Sequence, residues 1–235
     1  MRKVMIGTLA LVLLLAGCAP AAGVGPGAPG GGQGAGSTSG AADGDLRRRT
    51  MTIALDETWS SAAELTYPAS GDGPWPTVIL FHGSGPVDMD ATQMDASGQV
   101  SSTNFKLLAE RLTAEGFAVL RFHKRGVRKL GDYDLEQVSR ATTNQLITDA
   151  AQVIAAARAQ PEVDGGRIYL YGWSQGAQVA AHAALADLAV AGVILQGPPT
   201  SGWPETLRYQ HLELGLRLLH ELDADGDGKL SVQEW

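Results

Sequence analysis

The chain has 235 residues and a formal net charge of −7, from 18 basic and 25 acidic side chains. An acidic balance with no basic stripe argues against a nucleic-acid-binding face. One cysteine leaves no disulfide framework, so a hydrophobic core has to hold the fold.

The chain begins Met1-Arg2-Lys3 and continues with an apolar run from Val4 to Ala16. A basic start, and an apolar stretch too short to span as a stable anchor, read as a secretory signal. Its ending, Leu15-Ala16-Gly17-Cys18, resembles the bacterial lipobox, which implies cleavage before Cys18 and lipidation of its thiol. Residues 1–18 are therefore expected to be the signal peptide of an exported, membrane-anchored lipoprotein at the cell surface or in the periplasm. Residues 19–50 are rich in Gly, Ala, Pro and Ser without hydrophobic periodicity, as expected of a flexible tether. Arg47-Arg48-Arg49 reads as the solvated end of that linker or a contact to anionic lipid. Roughly 185 residues remain, within the range of a single domain.

Met51–Leu55 and Ala62–Tyr67 read as two antiparallel strands at a sheet edge, and Thr77–Phe81 as a buried strand. In Asn104–Glu115, Phe105, Leu108, Ala109 and Leu112 fall on one helical face, and Gly116 ends the helix. Phe117–Phe122 returns as a strand. Thr143–Gln160 is a second helix that buries Leu146, Ile147, Ala150, Val153, Ile154 and Ala157. Ile168–Tyr171 and Val190–Gln196 are further strands, with helix-prone Ala177–Ala186 between them. This alternation predicts an α/β fold, a doubly wound and mostly parallel sheet over residues 51–199.

Gly172-Trp173-Ser174-Gln175-Gly176 joins a strand to a helix as G-x-S-x-G. A tight turn in that context lifts the Ser174 hydroxyl clear of the sheet edge, as a nucleophile elbow does. His82-Gly83-Ser84-Gly85-Pro86 follows the Thr77–Phe81 strand, and its glycines allow backbone amides to approach a ligand. The Ser84 and Gln175 N–H groups are the expected oxyanion donors. His82 is expected to pack under this loop and fix its shape.

HGSGP, Asn104–Ala109, Phe117–Phe122, Lys124-Arg125-Gly126-Val127 and GWSQG occur in this order. As a set they resemble the bacterial α/β-hydrolase carboxylesterases related to serine aminopeptidases, over about residues 51–200. The resemblance implies a serine esterase, with an acyl-enzyme on Ser174 and a Ser-Asp-His triad. The sequence departs from the family at His123, where Asp is usual before the K-R-G turn, and at Trp173, where His is more usual. No strand Asp followed by a loop His occurs after Gln196; His182, His211 and His220 all fall in helical runs. The last sheet strands, with the triad acid and base, are expected beyond residue 235, this sequence being the front of a longer hydrolase.

Residues 200–235 read as a cap-like helix and a calcium loop, with Pro204 near the helix start. Asp223-Ala224-Asp225-Gly226-Asp227-Gly228-Lys229-Leu230-Ser231 leads to Glu234 with EF-hand spacing. The expected ligands are Asp223, Asp225, Asp227, the Lys229 carbonyl, Ser231 through water, and bidentate Glu234. Outside the cell such a Ca²⁺ site would brace rather than signal. The alternatives are a non-catalytic calcium-binding surface lipoprotein on a hydrolase scaffold and a serine aminopeptidase. Either enzyme would act on a small acyl compound or a peptide.

Overall fold

The computed structural model describes residues 46–95, 97–231 and 234. The expected signal peptide, Cys18 and most of the tether lie outside these residues. No described helix is long and apolar enough to cross a membrane.

The first strand, β1 (Leu46–Ala54), starts ahead of the expected Met51 and takes in the arginines assigned to the linker. Each of two has a carboxylate to meet: Arg49 Nε donates to Glu162 at 3.0 Å, and Arg48 lies 3.4 Å from Glu110. β1 pairs antiparallel with β2 (Ser60–Pro68), and β2 antiparallel with β6 (Ala118–Phe122). Beyond β6 the sheet is parallel, running through β3 (Trp75–Phe81) and β9 (Val163–Trp173) to β10 (Val190–Gln196). The order is β1-β2-β6-β3-β9-β10.

The inner strands are apolar at consecutive positions because both of their faces are covered. Ile79, Phe81, Leu120, Ile168 and Leu170 point into the larger core, against Val153 and Ile154 of α3 (Thr143–Arg158) and Val179 and Ala180 of α4 (Gln175–Ala186). Their neighbours Val78, Leu80 and Val119 point the other way, against Phe105 and Ala109 of α1 (Asn104–Ala114). The two-residue period of the strands thus divides the molecule into two layers of side chains.

Shorter elements lie between these. β4 (Thr92–Met94) pairs with β5 (Val100–Thr103), and β7 (Val127–Lys129) with β8 (Asp132–Tyr133), ahead of α2 (Leu135–Arg140). After β10 come α5 (Trp203–Arg208), a π-helical stretch at Tyr209–Gly215, and α6 (Leu216–Leu222), which leads into the acidic loop.

The chain crosses from β3 to β6 on one side and later returns to β9 on the other, with helices on opposite faces. The carboxyl ends of β3 and β9 therefore face a crevice where the connections diverge. Open parallel sheets bind ligands at such a place.

Candidate active site

Three adjacent strands deliver the site from their carboxyl ends. β9 ends in the turn at Ser174, whose φ is 54° and ψ −119°, a backbone conformation that L residues rarely adopt. Several contacts hold it there. The Ser174 amide donates to the Gln196 carbonyl of β10 at 2.9 Å, and the Ala177 amide donates to the Ser174 carbonyl at 2.9 Å. The helix also packs directly on the sheet: a Cβ on Gly176 would lie 2.5 Å from the His82 carbonyl oxygen and closer still to that of Phe81. A Cβ on Gly172 would lie 2.5 Å from Ala177 Cα. Both positions accept only glycine, and Ser174 itself is half-buried rather than in a core.

β3 delivers the glycine loop. A Cβ built on Gly83 would lie 3.4 Å from Ser174 Cβ and 3.5 Å from Trp173 Cε3, so this backbone abuts the serine. Ser84 follows, half-buried, and Gln175 opens α4, where the first amides of a helix have no intrahelical acceptor. Trp173 meets Phe105 edge-on at 6.4 Å, and Phe105 meets Tyr171 at 5.9 Å, giving an aromatic wall beside the turn.

β6 delivers two buried cations. Lys124 Nζ donates to the Gly83 carbonyl at 2.7 Å and to Gln175 Oε1 at 2.9 Å, while Gln175 Nε2 donates to Thr143 Oγ1 at 3.3 Å. Desolvation pushes the Lys124 pKa down to about 7. Arg125 forms a two-pronged pair with Asp149 at 2.8 and 2.6 Å, and also reaches Asp56 at 2.7 Å. The sequence marks Lys124 and Arg125 only as members of a motif. Their partners lie on the loop after β3, on α3 and α4, and on the β1–β2 turn, distances that no local spacing reveals.

All five histidines have other surroundings. His82 is buried between Phe105 and Phe122. His123 Nδ1 accepts from the Met89 amide at 3.0 Å. Burial lowers the His123 pKa against the opposing pull of Asp88 and Asp90. His182 Nδ1 meets the Gln178 carbonyl at 2.8 Å, one turn back on α4. His211 and His220 are exposed on the C-terminal helices.

The acidic segment folds back on itself. Carboxylate oxygens of Asp223, Asp225 and Asp227 come within 4.8 Å of one another. Asp223 accepts from the Gly226 and Gly228 amides, both at 2.9 Å. Asp227 accepts from the Lys229 amide at 2.8 Å. Glu234 closes the ring, accepting from the Ala224 amide at 3.0 Å and the Ser231 amide at 2.9 Å. Gly228, at φ 79°, makes the sharp bend.

A mostly parallel sheet that presents a strained serine beside a glycine loop is the framework of an α/β-hydrolase. Solved structures agree on the fold. A bacterial heroin esterase superposes with a TM-score of 0.51 at 21% identity, over 72% of this chain and 49% of that one. A dienelactone hydrolase-like promiscuous phosphotriesterase from metagenomic libraries gives 0.51 at 20% identity, over 66% and 60%. Esterase EstD of Thermotoga maritima is 33% identical over 148 residues, covering 63% of this chain. This chain spans 32% of that relative's length. The family model described as serine aminopeptidase, S33, matches residues 98–224, and the chain belongs to that family.

Proposed function

We propose that this protein is an exported serine esterase, tethered to a membrane through a lipid on Cys18, that hydrolyses a carboxylic ester or related small acyl compound. The observation that carries the reading is Ser174, held at positive φ against the backbone of the glycine loop. A strained turn persists only where surrounding structure over-determines it, and such turns cluster at reactive sites.

In this reading Ser174 Oγ attacks the acyl carbonyl, and the Ser84 and Gln175 amides receive the developing oxyanion. Each such donor contributes about 3 kcal/mol in comparable sites. The alkoxide leaves, and water then hydrolyses the acyl-enzyme. Ser174 needs a base to take its proton, and among the described residues no histidine is hydrogen-bonded to its hydroxyl. The reading therefore requires an acid and a base from a longer protein, which the greater length of the curated relative supports. Serine aminopeptidase activity would use the same atoms; a panel of esters and amino-acid amides separates the two.

The reading includes a structural Ca²⁺ at Asp223, Asp225, Asp227, the Lys229 carbonyl, Ser231 and Glu234. Grouped carboxylates and the returning Glu234 support it.

The test of the enzyme is covalent labelling of the full-length protein by a fluorophosphonate. Wild type is expected to label at Ser174 and the Ser174→Ala variant to lose at least about 99% of labelling and ester hydrolysis. Equal labelling of a folded Ser174→Ala variant would falsify the assignment by placing the nucleophile elsewhere, and no labelling of wild type would leave a binding scaffold as the better account.

A further inference from the structure

Three cations are buried among the described residues: Arg121, Lys124 and Arg125. Arg121 pairs with Glu64 and Asp90, and Arg125 with Asp149 and Asp56. Lys124 has no carboxylate partner among the described residues. Its two acceptors are the Gly83 carbonyl and the Gln175 side chain.

One acceptor shares a peptide unit with the first oxyanion donor, and the other is the side chain of the residue that carries the second. The Gly83 carbonyl and the Ser84 N–H are the two ends of one peptide unit, and in a trans peptide they point in opposite directions. A cation bound at the carbonyl fixes the plane of that unit, turns its N–H away from itself, and draws electron density from the N–H. On the other side, Lys124 holds the Gln175 side chain, whose own backbone N–H is the second donor.

We propose that Lys124 is a positioning residue of the oxyanion hole: its ammonium group clamps the Gly83–Ser84 peptide to Gln175 and sets the angle between the two donor amides. This rests on the serine-esterase reading, which it deepens by adding a residue that never touches substrate. Packing alone does not account for Lys124. An apolar side chain would fill the same space without taking an ammonium out of water.

Deprotonation removes the charge but leaves N–H donors, so the clamp weakens rather than opens as pH rises through about 7. The other ionisable groups lining the same small cavity are His82, Arg125 and Asp149. His82, pushed down to about 3, stays neutral across that range. Arg125 and Asp149 are paired with each other. His123, next in the chain, titrates below its ordinary value.

The experiment compares steady-state hydrolysis of p-nitrophenyl butyrate by full-length wild type, Lys124→Met and Ser174→Ala, with folding checked by circular dichroism. Lys124→Met is expected to lower kcat about 10- to 100-fold while KM changes less than about twofold, because the clamp acts on the transition state. A folded Lys124→Met variant with wild-type kcat, or one whose loss lies in KM alone, overturns the proposal. Ester hydrolysis that survives Ser174→Ala overturns instead the reading beneath it.

A second measurement needs neither turnover nor a variant and decides the matter if Lys124→Met does not fold or the ester is not turned over. The ¹⁵N shifts of the Ser84 and Gln175 amides are followed from about pH 5 to about pH 9. Both should move with the midpoint read from the Lys124 Nζ resonance in the same titration. Amides that stay fixed while Lys124 titrates, or that move with any other midpoint, overturn the proposal.

Discussion

The imidazole of His82 lies with its ring centroid 5.1 Å from those of Phe105 and Phe122, and its Nε2 has no hydrogen-bond partner. Burial, followed by the positive charges of Lys124 and His123, pushes its pKa from 6.5 down to about 3. The folded state thus excludes a proton that the unfolded chain binds below pH 6.5, and stability falls as pH drops from about 6.5 towards 3. One proton corresponds to a slope of about 1 kcal/mol per pH unit. Urea unfolding at a series of pH values should show this limb in wild type and a shallower one in His82→Leu, whatever the variant costs at neutral pH. Parallel acid limbs would show that His82 is not the group responsible. A histidine beginning the glycine loop is legible in the sequence; its two aromatic neighbours are not, because they come from α1 and β6. Lys124 is the sharper case. Its charge in the sequence suggests solvent, and only the fold shows it enclosed by Gly83 and Gln175.

Among the elements, those with a long hydrophobic period were readable. Helix α3 buries Leu146, Ala150, Val153, Ile154 and Ala157 as the spacing requires, with the expected Ile147 only half-buried against the core, and β10 has the expected bounds. The pairs β4–β5 and β7–β8 were not readable, since strands of two to four residues are too short to show a period. β9 is longer than expected for a different reason. It starts at Val163, and Asp164-Gly165-Gly166 makes an irregularity within the strand, with Asp164 Oδ1 accepting from the Gly166 amide at 3.0 Å. The spacing of the acidic loop raises the expectation of calcium, which is open to direct test. Calcium binding is expected with Kd of about 10⁻⁴ to 10⁻³ M, the range of extracellular modules, followed by Tb³⁺ luminescence or by calorimetry. Glu234→Gln and Asp223→Asn should each weaken it at least about tenfold, because each removes one carboxylate charge from the shell. A protein showing no calcium heat and no Tb³⁺ signal at millimolar metal would leave the ring of hydrogen bonds around Glu234 as a structural turn only.

At the scale of the whole molecule the sheet is protected on one side and open on the other. The β1 margin carries Arg47, Arg48 and Arg49, charges of the kind that discourage edge-to-edge pairing. β10 has the sequence Val190-Ala191-Gly192-Val193-Ile194-Leu195-Gln196, with no charge, and among the described residues it pairs only with β9. Val193, Ile194 and Leu195 are 42%, 51% and 40% exposed, and as consecutive strand residues they show apolar surface on both faces. Unpaired backbone groups beside such side chains form a template for another strand, supplied by a further segment of a longer protein or by a second copy. Expressed by itself, the 235-residue chain is therefore expected to self-associate through β10. Replacing Ile194 with lysine adds a charge to the edge while leaving β9–β10 pairing and the Gln196 contact to the Ser174 amide in place. Sedimentation velocity should show Ile194→Lys shifted towards monomer at concentrations about tenfold above those at which wild type associates, with the melting temperature within about 2 °C. If the variant and wild type sediment alike, association runs through another surface, and the exposed leucines of α6 become the next to change.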